Sequence, residues 1–184
     1  MRTTLTFADD GDFKLSQLAA SATVGYALPS RWSFRAAVGT IIDGEISNGQ
    51  RTDDIAAGIT GGLGVSKLWP LRRNYFVTGS VDLSASRVTT HQGFEPGVAF
   101  IATDLRVSAV VGKTLGRFSP FLATRVFGGP VFWTYNGNDI VGTDIYKFQV
   151  GGGLSVMAGT GLSVMANVSV LGEQAASISF AQQM

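Results

Sequence analysis

The segment IAAGITGGLGVSKLW, residues 55–69, decides the reading of the fold. One phase of it runs Ile55, Ala57, Ile59, Gly61, Leu63, Val65, then Lys67 and Trp69. The other runs Ala56, Gly58, Thr60, Gly62, Gly64, Ser66. Side chains alternate between the two faces of a strand, so one face here is large and apolar and the other small and weakly polar. A barrel dissolved in water shows the reverse, with bulk inside and charge outside. The large apolar face needs a medium other than water, and lipid is the simplest one.

Working outward, 184 residues suffice for one domain, taken as 1–184. The chain is 45% hydrophobic and only 15% charged, against a usual charged share of about 25%. No stretch approaches the roughly 20 apolar residues of a spanning helix. Apolar content without a long apolar run points to a closed barrel, the other structure that satisfies every backbone group inside lipid. The absence of cysteine excludes disulfides and thiolate metal sites. Residues 1–7 carry no apolar signal core, so the chain reads as a mature or recombinant form with an added Met.

About ten alternating segments of strand length are expected, at 2–8, 13–28, 32–43, 54–69, 74–89, 98–115, 118–133, 145–157, 162–170 and 175–182. Longer connections at 44–53, 90–97 and 134–144 alternate with short turns at 29–31, 70–73 and 116–117. The two terminal hairpins have short connections on both sides, which leaves eight strands as the alternative. The fold expectation is therefore all-β: an antiparallel transmembrane β-barrel of about ten strands.

Aromatic residues of the apolar phase gather beside the short turns: Tyr26, Trp32, Phe34, Trp69, Tyr75 and Phe118. Phe132, Tyr135, Tyr146 and Phe148 lie near the longer loops. Two such belts match the girdles of membrane barrels. The charges sort as well. All acids but Asp82 and Asp104 fall at the long-loop end or its strand tips, among them Asp9, Asp10, Asp12, Asp43, Glu45, Asp53, Asp54, Glu95, Asp139, Asp144 and Glu173. The short-turn end carries Arg31, Lys67, Arg72, Arg73, Lys113 and Arg117.

The last segment, EQAASISF at 173–180, resembles the C-terminal recognition signal of bacterial outer-membrane barrels, with Ile178 and Phe180 as the alternating hydrophobics. It departs in Ala175, where glycine is usual, and in the residues beyond Phe180. As architecture the chain resembles the small outer-membrane β-barrel families, such as the OmpA transmembrane domain and OmpX. That resemblance implies a bacterial outer-membrane location, with outer-membrane lipid and the barrel-assembly machinery as partners. A monomer is the favoured state.

The small, polar phase contains Arg35, Asp82, Asp104, Arg106, Arg125, Lys147 and Gln149. Charges at bilayer depth must face the interior and find partners. These residues are expected to form an interior ion-pair network, which either plugs a narrow barrel or lines a constriction for small ions or solutes. Phe76, Phe100, Phe121 and Phe127 share that phase and argue against a wide path. His91, the sole histidine, could join Asp53, Asp54 or Glu95 as a hydrolase site at the rim, but a lone loop histidine is more often solvated. The segments 9–12 and 136–139 offer oxygen ligands without the full calcium-loop pattern. No catalytic residue, metal site or cofactor is assigned. Few and scattered basic residues speak against nucleic-acid binding. The expected function is a non-enzymatic outer-membrane protein acting through its wall and surface loops, with a narrow channel as the alternative.

Overall fold

The computed structural model describes residues 1–7, 11–91, 97–135, 137–159 and 161–182. Asp9, Asp10, Glu95 and Asn136, invoked above, lie outside them. The described chain forms one antiparallel sheet of thirteen strands with no α-helix. In order these are β1 (Arg2–Phe7), β2 (Gly11–Ala27), β3 (Trp32–Ser47), β4 (Thr52–Ile55), β5 (Gly58–Pro70), β6 (Tyr75–His91) and β7 (Val98–Lys113). There follow β8 (Phe118–Gly128), β9 (Pro130–Tyr135), β10 (Asn138–Asp144), β11 (Phe148–Met157), β12 (Leu162–Gly172) and β13 (Ala175–Gln182).

Thirteen segments arise where about ten were expected because two expected strands, 54–69 and 118–133, are interrupted and 138–144 adds a strand of its own. Ala56-Ala57 separates β4 from β5, Gly129 separates β8 from β9, and 145–147 separates β10 from β11. The connections are also shorter than the sequence suggested. Strand β3 runs on to Ser47, and 138–144, expected as loop, is the return strand of a hairpin with β9.

The interruptions divide the sheet into two tiers. In the upper tier the pairing runs β1–β2–β3–β4–β6–β7–β9–β10 and returns to β1 through Leu5 opposite Asp144. In the lower tier it runs β2–β3–β5–β6–β7–β8–β11–β12–β13 and, among the described residues, does not return. The lower tier ends in the short basic turns, where Arg31, Arg73, Asn74 and Gly116 take left-handed backbone conformations.

The two tiers have opposite patterning. Above, the apolar residues point inward: Phe13 and Leu15 on β2, Ile46 on β3 and Ile55 on β4 are buried, while Asp12, Lys14, Glu45 and Asp54 between them are exposed. Below, Val24, Tyr26, Phe34, Val38, Ile59 and Leu63 are exposed, and Ser33, Arg35, Ala37 and Gly39 are half-buried. On β2 one inward phase runs throughout and only the residue types change, whereas from β3 to β5 the alternation itself reverses. Ile41 pairs with Gly58 and Gly44 with Ile55, so residues 42–43 and 56–57 stand outside that ladder, and toward β2 Ile42 alone is skipped. Such irregularities reverse the alternation of a strand. Ile55 is therefore not part of the outward phase that begins at Ile59; only 3% exposed, it belongs to the interior.

Candidate functional site

The upper interior is filled by an apolar cluster of Leu5, Phe7, Phe13, Leu15, Ile41, Ile46, Ile55, Val88, Phe100, Val131 and Trp133. Rings interlock at its centre: Phe13 meets Trp133 edge-on at 5.3 Å between centroids, and Phe7 meets Phe13 at 5.5 Å. The buried indole N–H of Trp133 donates to Thr90 Oγ1 at 3.0 Å, so the one polar atom of that ring is satisfied. Tyr135, assigned above to the outer belt, instead packs inward against Trp133 and Phe13, with the Arg51 guanidinium over its ring.

Beneath this cluster lies a chamber of about 580 Å³ whose charged and polar lining includes Arg35, Asp82, Asp104, Arg106, Arg125 and Asn167. The register explains how they meet. Arg35, Gly64, Asp82 and Arg106 stand in one row across β3, β5, β6 and β7. Gly64 has no side chain, so Arg35 reaches over it to Asp82 with two hydrogen bonds, Nε to Oδ1 at 2.8 Å and Nη2 to Oδ2 at 2.6 Å. A Cβ on Gly64 would lie 2.0 Å from Asp82 Oδ1 and 2.8 Å from Arg35 Nε. The glycine makes room for the pair. Ser80 adds a hydrogen bond to Asp82 at 3.2 Å.

Arg106 pairs with Asp104 two residues before it, at 3.0 Å, and lies over the Phe127 ring. Its Nε is buried with no hydrogen-bond partner among the described residues, as is Asn167 Oδ1. Arg125 donates to Gln149 Oε1 at 2.7 Å, and Gln149 donates in turn to the backbone carbonyl and carboxylate of Glu173. A smaller cavity of about 210 Å³ sits between chamber and cluster, bounded by Thr3, Asp104, Arg106, Asp144 and Glu173. Burial pushes the Glu173 carboxyl above the usual carboxylate range. Asp144, which accepts from Thr3 Oγ1 at 2.6 Å, is raised for the same reason.

Five of the six expected interior charges, Arg35, Asp82, Asp104, Arg106 and Arg125, thus line one chamber. Lys147 does not: it is exposed, in the link between β10 and β11, and contributes to an outer cleft with Gly128, Gly129 and Pro130. Glu173 and Asp144, placed by the sequence with the acidic rim, are in fact buried. Their signal was weak, because both stand at strand ends where acids usually meet water.

The expected belt residues Tyr26, Trp32, Phe34, Trp69, Tyr75 and Phe118 are all exposed near the short turns. Lysines lie over their rings: Lys67 is 4.9 Å from the Trp32 centroid, and Lys113 is 4.9 Å from that of Tyr75. Ile178 and Phe180 are exposed on β13. His91 ends β6 opposite Asp54, and among the described residues no hydrogen bond ties it to Asp53 or Asp54. Asp53 is held by Arg51 at 2.7 Å. Among the described residues no three metal-type side chains converge. No family model matches the sequence, and no curated protein matches it.

Proposed function

We propose that the chain is an integral β-barrel protein of the bacterial outer-membrane type, with its lower tier in lipid and its upper tier in water, acting through its wall and acidic rim rather than by catalysis. The observation that carries this reading is the reversal of patterning between the tiers. A protein wholly in water has no reason to expose Val24, Phe34, Val38, Ile59, Leu63, Leu122 and Val126 on successive strands. The strand portions below the switch have the length that a tilted strand needs to cross a bilayer, about 9–11 residues. Lysines over aromatic rings at the lower turns suit an interfacial girdle. No helix among the described residues is long and apolar enough to span, which says nothing of strands.

The polar chamber favours a second reading, a binding or conducting path for small ionic solutes. The apolar cluster above it weighs against a continuous path, so a closed cup is the better description.

The test uses the three tryptophans, kept one at a time with phenylalanine at the other two, in vesicles containing brominated lipid. Trp32 and Trp69 fluorescence is expected to be quenched strongly and Trp133 fluorescence little. Equal exposure of all three to an aqueous quencher, with no bromine quenching, would defeat the membrane reading.

A further inference from the structure

Among the described residues the lower tier has two unpaired edges, and their geometry specifies what fits between them. On β2, every residue from Leu18 to Ala27 is exposed, both phases alike, and β13 is the same from Ala176 to Gln182. The adjoining stretch of β3, 32–41, exposes only one phase, so β2 lacks a neighbour on one side, and β13 pairs only with β12.

The top of the seam is already built. The amino group of Met1 donates to the Gln17 carbonyl at 2.9 Å, and the Gln17 N–H donates to the Met1 carbonyl at 3.0 Å. On its other side, Arg2 exchanges two backbone hydrogen bonds with Gln174, at 2.7 and 3.0 Å. At this level β1 is the middle one of three strands. The flanking edges therefore stand two strand spacings apart, about 9.6 Å. Direction gives the same result. Both β2 and β13 run antiparallel to β1, so they are parallel to each other. One strand between them would keep the wall antiparallel throughout, whereas direct closure would place a parallel pair in it.

We infer that this seam is an acceptor for one further β-strand, an extended segment of about eight residues joined to the amino end of β1 and antiparallel to both edges. Its chemistry follows from its neighbours. Positions level with Ala20, Ala22, Ile178 and Phe180 face outward beside apolar groups and call for apolar side chains. Positions level with Ser21, Thr23, Ser177 and Ser179 belong to the inward phase and call for small or polar ones. A second copy docked edge to edge would cover β2 or β13 but leave the other bare. The inserted strand satisfies both at once, which a wall surrounded by lipid requires.

The experiment exploits the lack of cysteine in the chain. Ser16 and Gln174 both pair with Arg2, so four residues further along each edge Ala20 and Ile178 flank a single outward position of the inserted strand. An eight-residue segment is placed ahead of Met1, with Val next to Met1 and alternating with Ser. Its third residue before Met1, an outward one, is made Cys. Under mild oxidation in detergent, this thiol is expected to form a disulfide with Ala20→Cys in one variant and with Ile178→Cys in another. Amides of 18–27 should exchange roughly tenfold or more slowly with this segment than with a proline-containing version of it. The double variant Ala20→Cys/Ile178→Cys, without the added segment, is expected to keep both thiols free. A disulfide in that double variant shows that the seam closes on itself. That result, failure of either pairing with the segment, or disulfides between two copies would each overturn the inference. The readout concerns the seam alone and holds whether or not the protein enters lipid.

Discussion

At the scale of single residues, the interior charges are placed by what is missing as much as by what is present. Gly64 is the clearest case, since Arg35 and Asp82 are two strands apart and meet only across a bare backbone. Gly64→Ala is expected to cost about 1–3 kcal/mol, the range for overfilling a packed interior, measured by urea unfolding in detergent. Asp82→Ala leaves Arg35 uncompensated. Because Arg35 remains 38% exposed, a loss of about 1–2 kcal/mol is expected, below the figure for a fully buried pair. Glu173 yields a pH dependence. Burial raises its folded-state pKa, so the folded chain holds that proton to higher pH than the unfolded chain does. This contribution is favourable at low pH and fades as pH rises through the raised value. Glu173→Gln should therefore be the more stable protein at neutral pH, with the gap closing as pH falls through the carboxylate range; melting temperatures taken across that range check it. The partnerships among these charges are not legible in the sequence. The inward phase marks Arg35, Asp82 and Arg106 as interior, but joining them takes the register of four strands, and register is a property of pairs.

At the scale of elements, the wall changes solvent partway along its strands. Leu63 is 66% exposed in the middle of β5. On a water-facing sheet Leu63→Arg would be nearly neutral; with the lower tier in lipid it is expected to cost about 2–4 kcal/mol. Reversible unfolding into vesicles reads the difference, and a change under 0.5 kcal/mol or so would favour water on that face. The alternation of 59–69 makes this tier legible in the sequence, because small inward and large outward residues suit a lipid-facing wall and little else. The upper tier writes its opposite pattern just as plainly in Asp12, Phe13, Lys14 and Leu15, an ordinary polar-out strand. What hides the join is the skip at Ala56-Ala57. Gly58 follows it at once but reads as one more small residue of the inward phase, and Ile55 falls in step with Ile59 by numbering while facing the other way. The hairpin strand β10 escapes a sequence reading for a related reason: Asn, Gly and Asp at its start read as loop, and the turn chemistry masks the strand that follows it.

At the scale of the whole molecule, the apolar cluster and the chamber stack along one axis, and the cluster decides what passes. Planar bilayers holding the protein are expected to stay electrically silent. Trp133→Ala removes the ring around which Phe7, Phe13, Phe100 and Tyr135 gather; it should cost about 3–5 kcal/mol and bring intermittent current, whereas steady current from the unaltered chain would contradict the cup. The pairing of Leu5 with Asp144 has a further consequence, for the order of events in synthesis. Closing the upper circuit requires every residue up to 144 and none after it. A chain delivered amino end first can thus complete its aromatic plug while the β12–β13 hairpin is still to come. The first-made end must wait for a partner some 140 residues away, which makes closure slow, and the last-made hairpin joins a scaffold already standing.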